Sequence, residues 1–117
     1  MDGFVLPVPK QNVETYRERS ALFARVWREH GALEYVECVA DDVKPGKLTS
    51  FPQAVQLQPD EVVVFGWLVY PSRADRDRIS AAAMADPRVM HGHDPGRPGA
   101  FDGRRAFIGG FAELVRG

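Results

Sequence analysis

Glu61-Val62-Val63-Val64-Phe65-Gly66-Trp67-Leu68-Val69-Tyr70 decides the fold. The run is rich in β-branched and aromatic residues and reads as a strand. Successive side chains on a strand point to opposite faces, so Val63, Phe65, Trp67 and Val69 project one way and Val62, Val64, Leu68 and Tyr70 the other. Both faces are apolar, so the sheet that holds this strand needs cover on both sides. The uninterrupted apolar stretch, Val62 to Tyr70, has nine residues. A membrane-crossing helix takes about 20, and no membrane association is expected.

Working outward, the period changes. Val13, Tyr16, Ser20, Phe23 and Trp27 recur at spacings of three and four, widened by Leu22 and Val26, which predicts an amphipathic helix from about Lys10 to His30. Gly31 follows as its stop. Phe4, Leu6 and Val8 before this helix, and Leu33, Tyr35, Glu37 and Val39 after it, alternate as strands do. Arg105 to Val115 is a fourth strand, broken by Gly109 and Gly110. Between the last two strands a second helix is expected, capped by Ser72 with Asp75 in the capping-box position, carrying Ile79, Ala82, Ala83 and Met84 and ending before Pro87. The order is βαββαβ. Two split crossovers of this kind predict an α+β, ferredoxin-like sandwich, a four-stranded antiparallel sheet with both helices on one side, as one domain over residues 1–117.

Two helices cover one face only. The fourth strand repeats the two-faced pattern, with Phe107 and Phe111 opposed to Ile108 and Leu114. Aromatic side chains bury about 150–250 Å² each, more in sum than soluble monomers usually expose as one patch. The same face of a second copy is the economical cover, so a homodimer joined sheet to sheet is expected. The alternative is that the long loops fold over the sheet within one chain. In the longer connection, Asp41 to Pro59, Ser50-Phe51-Pro52-Gln53 reads as a capping box with Pro at the first helical position, carrying Phe51, Ala54 and Val55 onto the body.

The balance of 15 Lys plus Arg against 16 Asp plus Glu, net −1, lacks the cationic footprint of a nucleic-acid binder, and none is expected as partner. Cys38 is the single cysteine, which excludes an intrachain disulfide; it is expected to be a small core residue. Phe4 to Val8 follows no basic leader, and with the lone thiol this points to the cytoplasm.

Few residues advertise chemistry. Asp41 and Asp42 flank the turn Lys44-Pro45-Gly46-Lys47 without calcium-loop spacing and read as solvated. The segment Asp86 to Gly103 holds three Pro and four Gly among 18 residues and is expected to be irregular. It carries His91-Gly92-His93-Asp94, suitable ligand types without a third convergent group, so no metal is assigned. His30 stands where a protonated imidazole meets the negative end of a helix dipole. Arg73, Asp75, Arg76, Asp77 and Arg78 alternate in sign as a solvated face, with an Arg73 to Asp77 pair four apart. Arg104 and Arg105 follow the turn Phe101-Asp102-Gly103; Arg105 either holds an anion or pairs with Asp102 or a partner chain. No phosphate loop, nucleophile elbow or dinucleotide fingerprint is present, and no cofactor is implied.

Taken together, Val36-Glu37-Cys38, Asp41-Asp42-Val43, Gly46-Lys47, Phe51-Pro52-Gln53-Ala54-Val55 and Pro59-Asp60-Glu61-Val62-Val63-Val64-Phe65 form a recognisable set. So do Tyr70-Pro71-Ser72, Met84-Ala85-Asp86-Pro87-Arg88 and Phe101-Asp102-Gly103-Arg104-Arg105 with Gly109-Gly110-Phe111. With these motifs the chain resembles, over essentially its whole length, the small bacterial YbaA-like family, a domain of unknown function in the dimeric α/β-barrel superfamily. The resemblance implies a ferredoxin-like protomer packed on its twin. It implies no mechanism: superfamily relatives include cofactor-independent oxygenases of aromatic compounds and haem-dependent enzymes, which share the architecture rather than these residues.

Two functions are therefore carried forward. The first is a non-enzymatic cytoplasmic homodimer, a binding or stress-related module whose aromatic residues are core and interface. The other is a cofactor-independent oxygenase-like enzyme that takes a small aromatic or quinone-like molecule in a cleft between helices and sheet. The cleft would be lined by Tyr35, Phe51, Trp67 and Phe101, with Asp102, Arg105 and His30 as the nearest polar groups.

Overall fold

In a computed structural model, which describes residues 1–91 and 100–117, the alternating segments pair as one sheet. Its strands are β1 (Asp2–Pro9), β2 (Glu34–Val39), β3 (Glu61–Val69) and β4 (Phe107–Gly110). The helices are α1 (Val13–His30), α2 (Phe51–Ala54), α3 (Arg73–Ala85) and α4 (Pro87–His91). The strand order is β2-β3-β1-β4, and every neighbouring pair is antiparallel. Among the described residues the architecture is thus α+β, an open four-stranded antiparallel sheet with four helices.

Each element stops for a local reason. α1 ends at Gly31, whose φ of +123° lies where L side chains are strained, and Ala32 N–H closes the turn on Trp27 C=O at 3.0 Å. Ser72 caps α3 by accepting from Asp75 N–H, and its hydroxyl donates to the Asp75 carboxylate at 2.9 Å. α2 is capped by Ser50 in the same way, with Pro52 in its second position rather than its first.

Register sorts the side chains. Phe4 lies opposite Gly66, Leu6 opposite Val64 and Val8 opposite Val62, and all face the helices. Val26 and Trp27 of α1, Ile79 and Ala83 of α3 and Val89 of α4 close over Leu68 and Tyr70, while Tyr16 closes over Leu6, Val8 and Val64. Val8, Val26 and Ile79 are fully buried, each contributing roughly 1.5–3 kcal/mol by removal from water.

The other face is covered at one end only. Val55, just after α2, is fully buried against Val5 and Val63, with Leu57 beside it. Toward β4, Phe65 is 40% exposed, Phe107 48% and Phe111 63%. The expectation that a loop folds over this face holds for the Val5–Val63 end and stops there.

Several expectations need correction. The Lys10–Asn12 stretch is a 3-10 turn, and α1 proper begins at Val13. β4 has four residues, not eleven: it pairs from Phe107 to Gly110, Phe111 exchanges two bonds with Met1, and beyond that no strand of this sheet runs alongside. Asp86 to Gly103 is not irregular from its start. The Asp86 side chain accepts from Arg88 N–H at 3.0 Å with Pro87 next to it, the signature of a helix start, and α4 follows. Cys38 is exposed, because it sits opposite Phe65 on an edge strand, on the side away from α1 and α3. On α3, Arg78 pairs with Asp75 and Arg76 with Asp77, but Arg76 also reaches Asp2 at 2.9 Å, tying the helix to β1. Among the described ion pairs Arg73 and Asp77 do not meet. The side chain of His91, and all of His93 and Asp94, lie outside the described residues.

Gly66 is where the sheet meets its core most closely. A Cβ at that position would overlap the tip of the Phe4 ring. Gly66→Ala should therefore destabilise the chain by about 1–3 kcal/mol through overpacking, read as a lower urea midpoint at unchanged slope; an unchanged midpoint would show that this contact is soft.

Candidate functional site

The alternation of β2 places Tyr35 opposite Leu68 and Glu37 opposite Gly66, so both point under α1. From α1, Tyr16 and Ser20, four apart, descend on the same side. The result is a cleft of about 350 Å³ between the first half of α1 and β2, walled by Val13, Ala21, Ala24, Val39 and Val64, with Arg17 at its mouth. Its polar centre is Glu37. Tyr16 donates its phenol to one carboxylate oxygen, and Tyr35 donates to the other at 3.0 Å.

Burial and the neighbouring carboxylate act in the same direction on these phenols. Both are pushed well above the ordinary tyrosine range, first by desolvation and then by Glu37, whose negative charge disfavours a phenolate. Tyr70 is raised for the same leading reason, with Asp2 adding to it. The cleft therefore presents two protonated phenols whose protons are engaged with one carboxylate.

On the opposite face lies a second, larger hollow of about 610 Å³, open and almost wholly apolar, lined by Met1, Val5, Phe65, Trp67, Phe107 and Phe111. The rings there touch edge to face and at a tilt: Phe51 to Phe65 at 5.9 Å between centroids, Phe65 to Trp67 at 5.8 Å.

The residues expected to share one cleft are distributed over four places. Tyr35 lies in the helix-side cleft, and Phe101 packs edge-on against Tyr16 behind it, 5.6 Å between centroids. Trp67 pairs with Val36, one residue out of phase with Tyr35, so the sheet itself separates them; Phe51 joins Trp67 on the far face through Phe65. Asp102 and Arg105 belong to a partly buried ionic knot. Arg105 meets both oxygens of Glu61, at 2.7 and 2.6 Å, bonds Asp102 at 3.2 Å and reaches the carbonyls of Val55 and Gln56. This is the structural pairing with Asp102, enlarged by Glu61. The Arg105 guanidinium holds the Glu61 carboxyl below its usual range, while Arg104 and Arg105 do the same for Asp102. His30 is at the far end of α1, its Nε2 3.0 Å from Asp86, whose carboxyl is held low by Arg88 and then by His30.

Tyr16, Glu37 and Glu61 were not singled out from the chain. A signal existed for Glu37: it interrupts an apolar alternation at a position that faces the core, where an acid needs donors. Tyr16 reads as one more member of the apolar stripe of α1. Glu61 carries no such mark, because its partner lies 44 residues away.

The raised phenols make a pH prediction. An unfolded tyrosine loses its proton near pH 10 while the folded ones keep theirs, so stability is fully present below about pH 10 and falls as pH rises beyond it. Phenolate absorbance should lag free tyrosine until the protein unfolds, and Tyr16→Phe and Tyr35→Phe should each make the alkaline decline shallower while costing about 1 kcal/mol at neutral pH. Phenols that titrate like free tyrosine in the folded protein would contradict the described burial.

Against this geometry stand the comparisons with known proteins. Residues 1–103 match the family described as "Protein of unknown function (DUF1428)". The chain is 43% identical over 115 residues, 98% of its own length and 96% of the relative's, to the "Uncharacterized protein YbaA" of Escherichia coli strain K12. The proteins of the same name from Escherichia coli O157:H7 and Shigella flexneri match to the same extent. These relatives are themselves uncharacterised. With a family match over most of its length and relatives this similar end to end, the chain belongs to the DUF1428 family of YbaA-like proteins.

Proposed function

We propose that the chain works as a homodimeric, non-enzymatic binding module, two ferredoxin-like protomers joined sheet to sheet as a dimeric α/β barrel, with the helix-side cleft of each left open to a small molecule. The observation that carries this reading is the bare half of the sheet. Phe65, Trp67, Phe107 and Phe111 line one apolar hollow on the face away from α1 and α3, with Phe65, Phe107 and Phe111 left substantially exposed. Strand order is compatible with it, since β2-β3-β1-β4 sets Phe107 of β4 beside Val5 of β1, on the part of that face which the α2 segment leaves bare.

A two-fold axis through that face would bring each aromatic set against its copy, and each large side chain so covered contributes roughly 1.5–3 kcal/mol. The helix-side cleft is untouched by that contact, because it opens on the other side of the sheet. No helix among the described residues is long and apolar enough to cross a membrane, and the lone thiol of Cys38 fits a reducing, cytoplasmic setting.

Phe107 is the residue to test, being half-exposed and away from the core. Light scattering after gel filtration should give twice the 13.0 kDa chain mass for the parent protein and the single-chain mass for Phe107→Asp, with the circular dichroism of both alike. A parent protein that is monomeric at micromolar concentration would overturn the reading.

A further inference from the structure

Among the described residues, most acids that leave the solvent are matched by a cation. Asp2 has Arg76, Glu61 and Asp102 have Arg105, and Asp86 has Arg88 and His30. Among the described residues, the acids with no ion-pair partner are Glu18, Glu34, Asp41, Asp42 and Asp60, all exposed, and Glu37, which is half-buried. Glu37 is also the one that stands inside a cavity. Its only described side-chain partners are the two phenols.

Hydrogen bonds from phenols stabilise a carboxylate but leave its charge in place, and each carboxylate oxygen has a second lone pair. Apart from Arg17, Ser20 and Cys38, the remaining lining is hydrocarbon: Val13, Ala21, Ala24, Val39 and Val64. Arg17, the cation at the mouth, is 69% exposed and leans outward on Glu14 at 3.4 Å, so water screens it from the interior. A negative charge held by two phenol hydroxyls in a cleft with a largely hydrocarbon wall is complementary to one kind of guest.

We propose that the cleft beneath α1 binds a small organic ammonium, an apolar body of about ten heavy atoms with a protonated amine that docks on Glu37 between Tyr16 and Tyr35. The proposal rests on reading the chain as a binding module and is independent of how protomers associate. It selects against carboxylates, which Glu37 repels, and against neutral isosteres, which leave the charge unmatched.

The probe is phenethylammonium, titrated at neutral pH into the full ¹⁵N-labelled chain and followed by amide shifts. Saturable shifts are expected within Val13–Ala24 and Tyr35–Val39, with millimolar or tighter affinity. 3-Phenylpropionate should cause none there, and 4-ethylphenol should bind at least about tenfold more weakly. Glu37→Gln, which keeps shape and removes charge, should lose about tenfold or more in affinity. If that variant does not fold, Tyr35→Phe, which retains the carboxylate, must still bind the ammonium and still reject the carboxylate. Absence of saturable cleft shifts in the parent protein, equal binding of either isostere, or full affinity in Glu37→Gln would overturn the proposal. Failure of dimerisation appears in the mass measurement and leaves these shifts unchanged, so the two readings fail separately.

Discussion

The structure depends on the antiparallel β1–β3 ladder, whose two central strands are apolar on both sides. On the helix side, Phe4 lies flat in the space that Gly66 leaves, and Leu6, Val8, Val64 and Leu68 form the floor on which α1, α3 and α4 settle. The far side continues the same chemistry through Val5, Val63, Phe65 and Trp67. A sheet of this composition is unfavourable in water unless something lies on each face. The loop that carries Val55 meets that need at one end, and the rest of the face is the ground for the proposed second protomer.

Polar ties stand around the perimeter of this ladder. Arg76 and Tyr70 hold Asp2 at the start of β1, Arg105 clamps Glu61 at the start of β3 together with the carbonyls after α2, and Asp86 gathers His30 and Arg88 where α1, α3 and α4 meet. Each fastens a loop or helix end to the sheet, and each satisfies its buried acid with charged or hydroxyl donors. Glu37 differs in kind. It fastens nothing distant, since Tyr35 is two residues away on its own strand, and its charge faces a cavity rather than a guanidinium. The contrast between matched perimeter acids and one unmatched acid in a cleft separates architecture from candidate site.

The fold was legible because periodicity reports it directly. Two-residue alternation in Phe4–Val8, Leu33–Val39 and Val62–Tyr70, the three-and-four spacing from Val13 to Trp27, and the Ser72 and Ser50 caps all survive as elements. The site was less so. Tyr35 and Trp67 both read as aromatic strand residues, but whether they share a face depends on the register between β2 and β3, which pairs Val36 with Trp67 and is invisible in either strand alone. Arg105 could be recognised as paired but not as the partner of Glu61, because long-range ionic contacts leave no periodic trace. α4 was hidden by the glycines and prolines beyond it, although Asp86-Pro87 at its start is an ordinary helix opening.

The central claim is that the aromatic half of the sheet meets its own copy. Isotope-filtered NOE spectroscopy on a mixture of labelled and unlabelled chains tests it most directly, since it records only proton contacts between different molecules. The account predicts intermolecular contacts among the rings of Phe65, Trp67 and Phe107 and none from Tyr16 or Tyr35. Intermolecular contacts confined to the helices, or none at all, would contradict it.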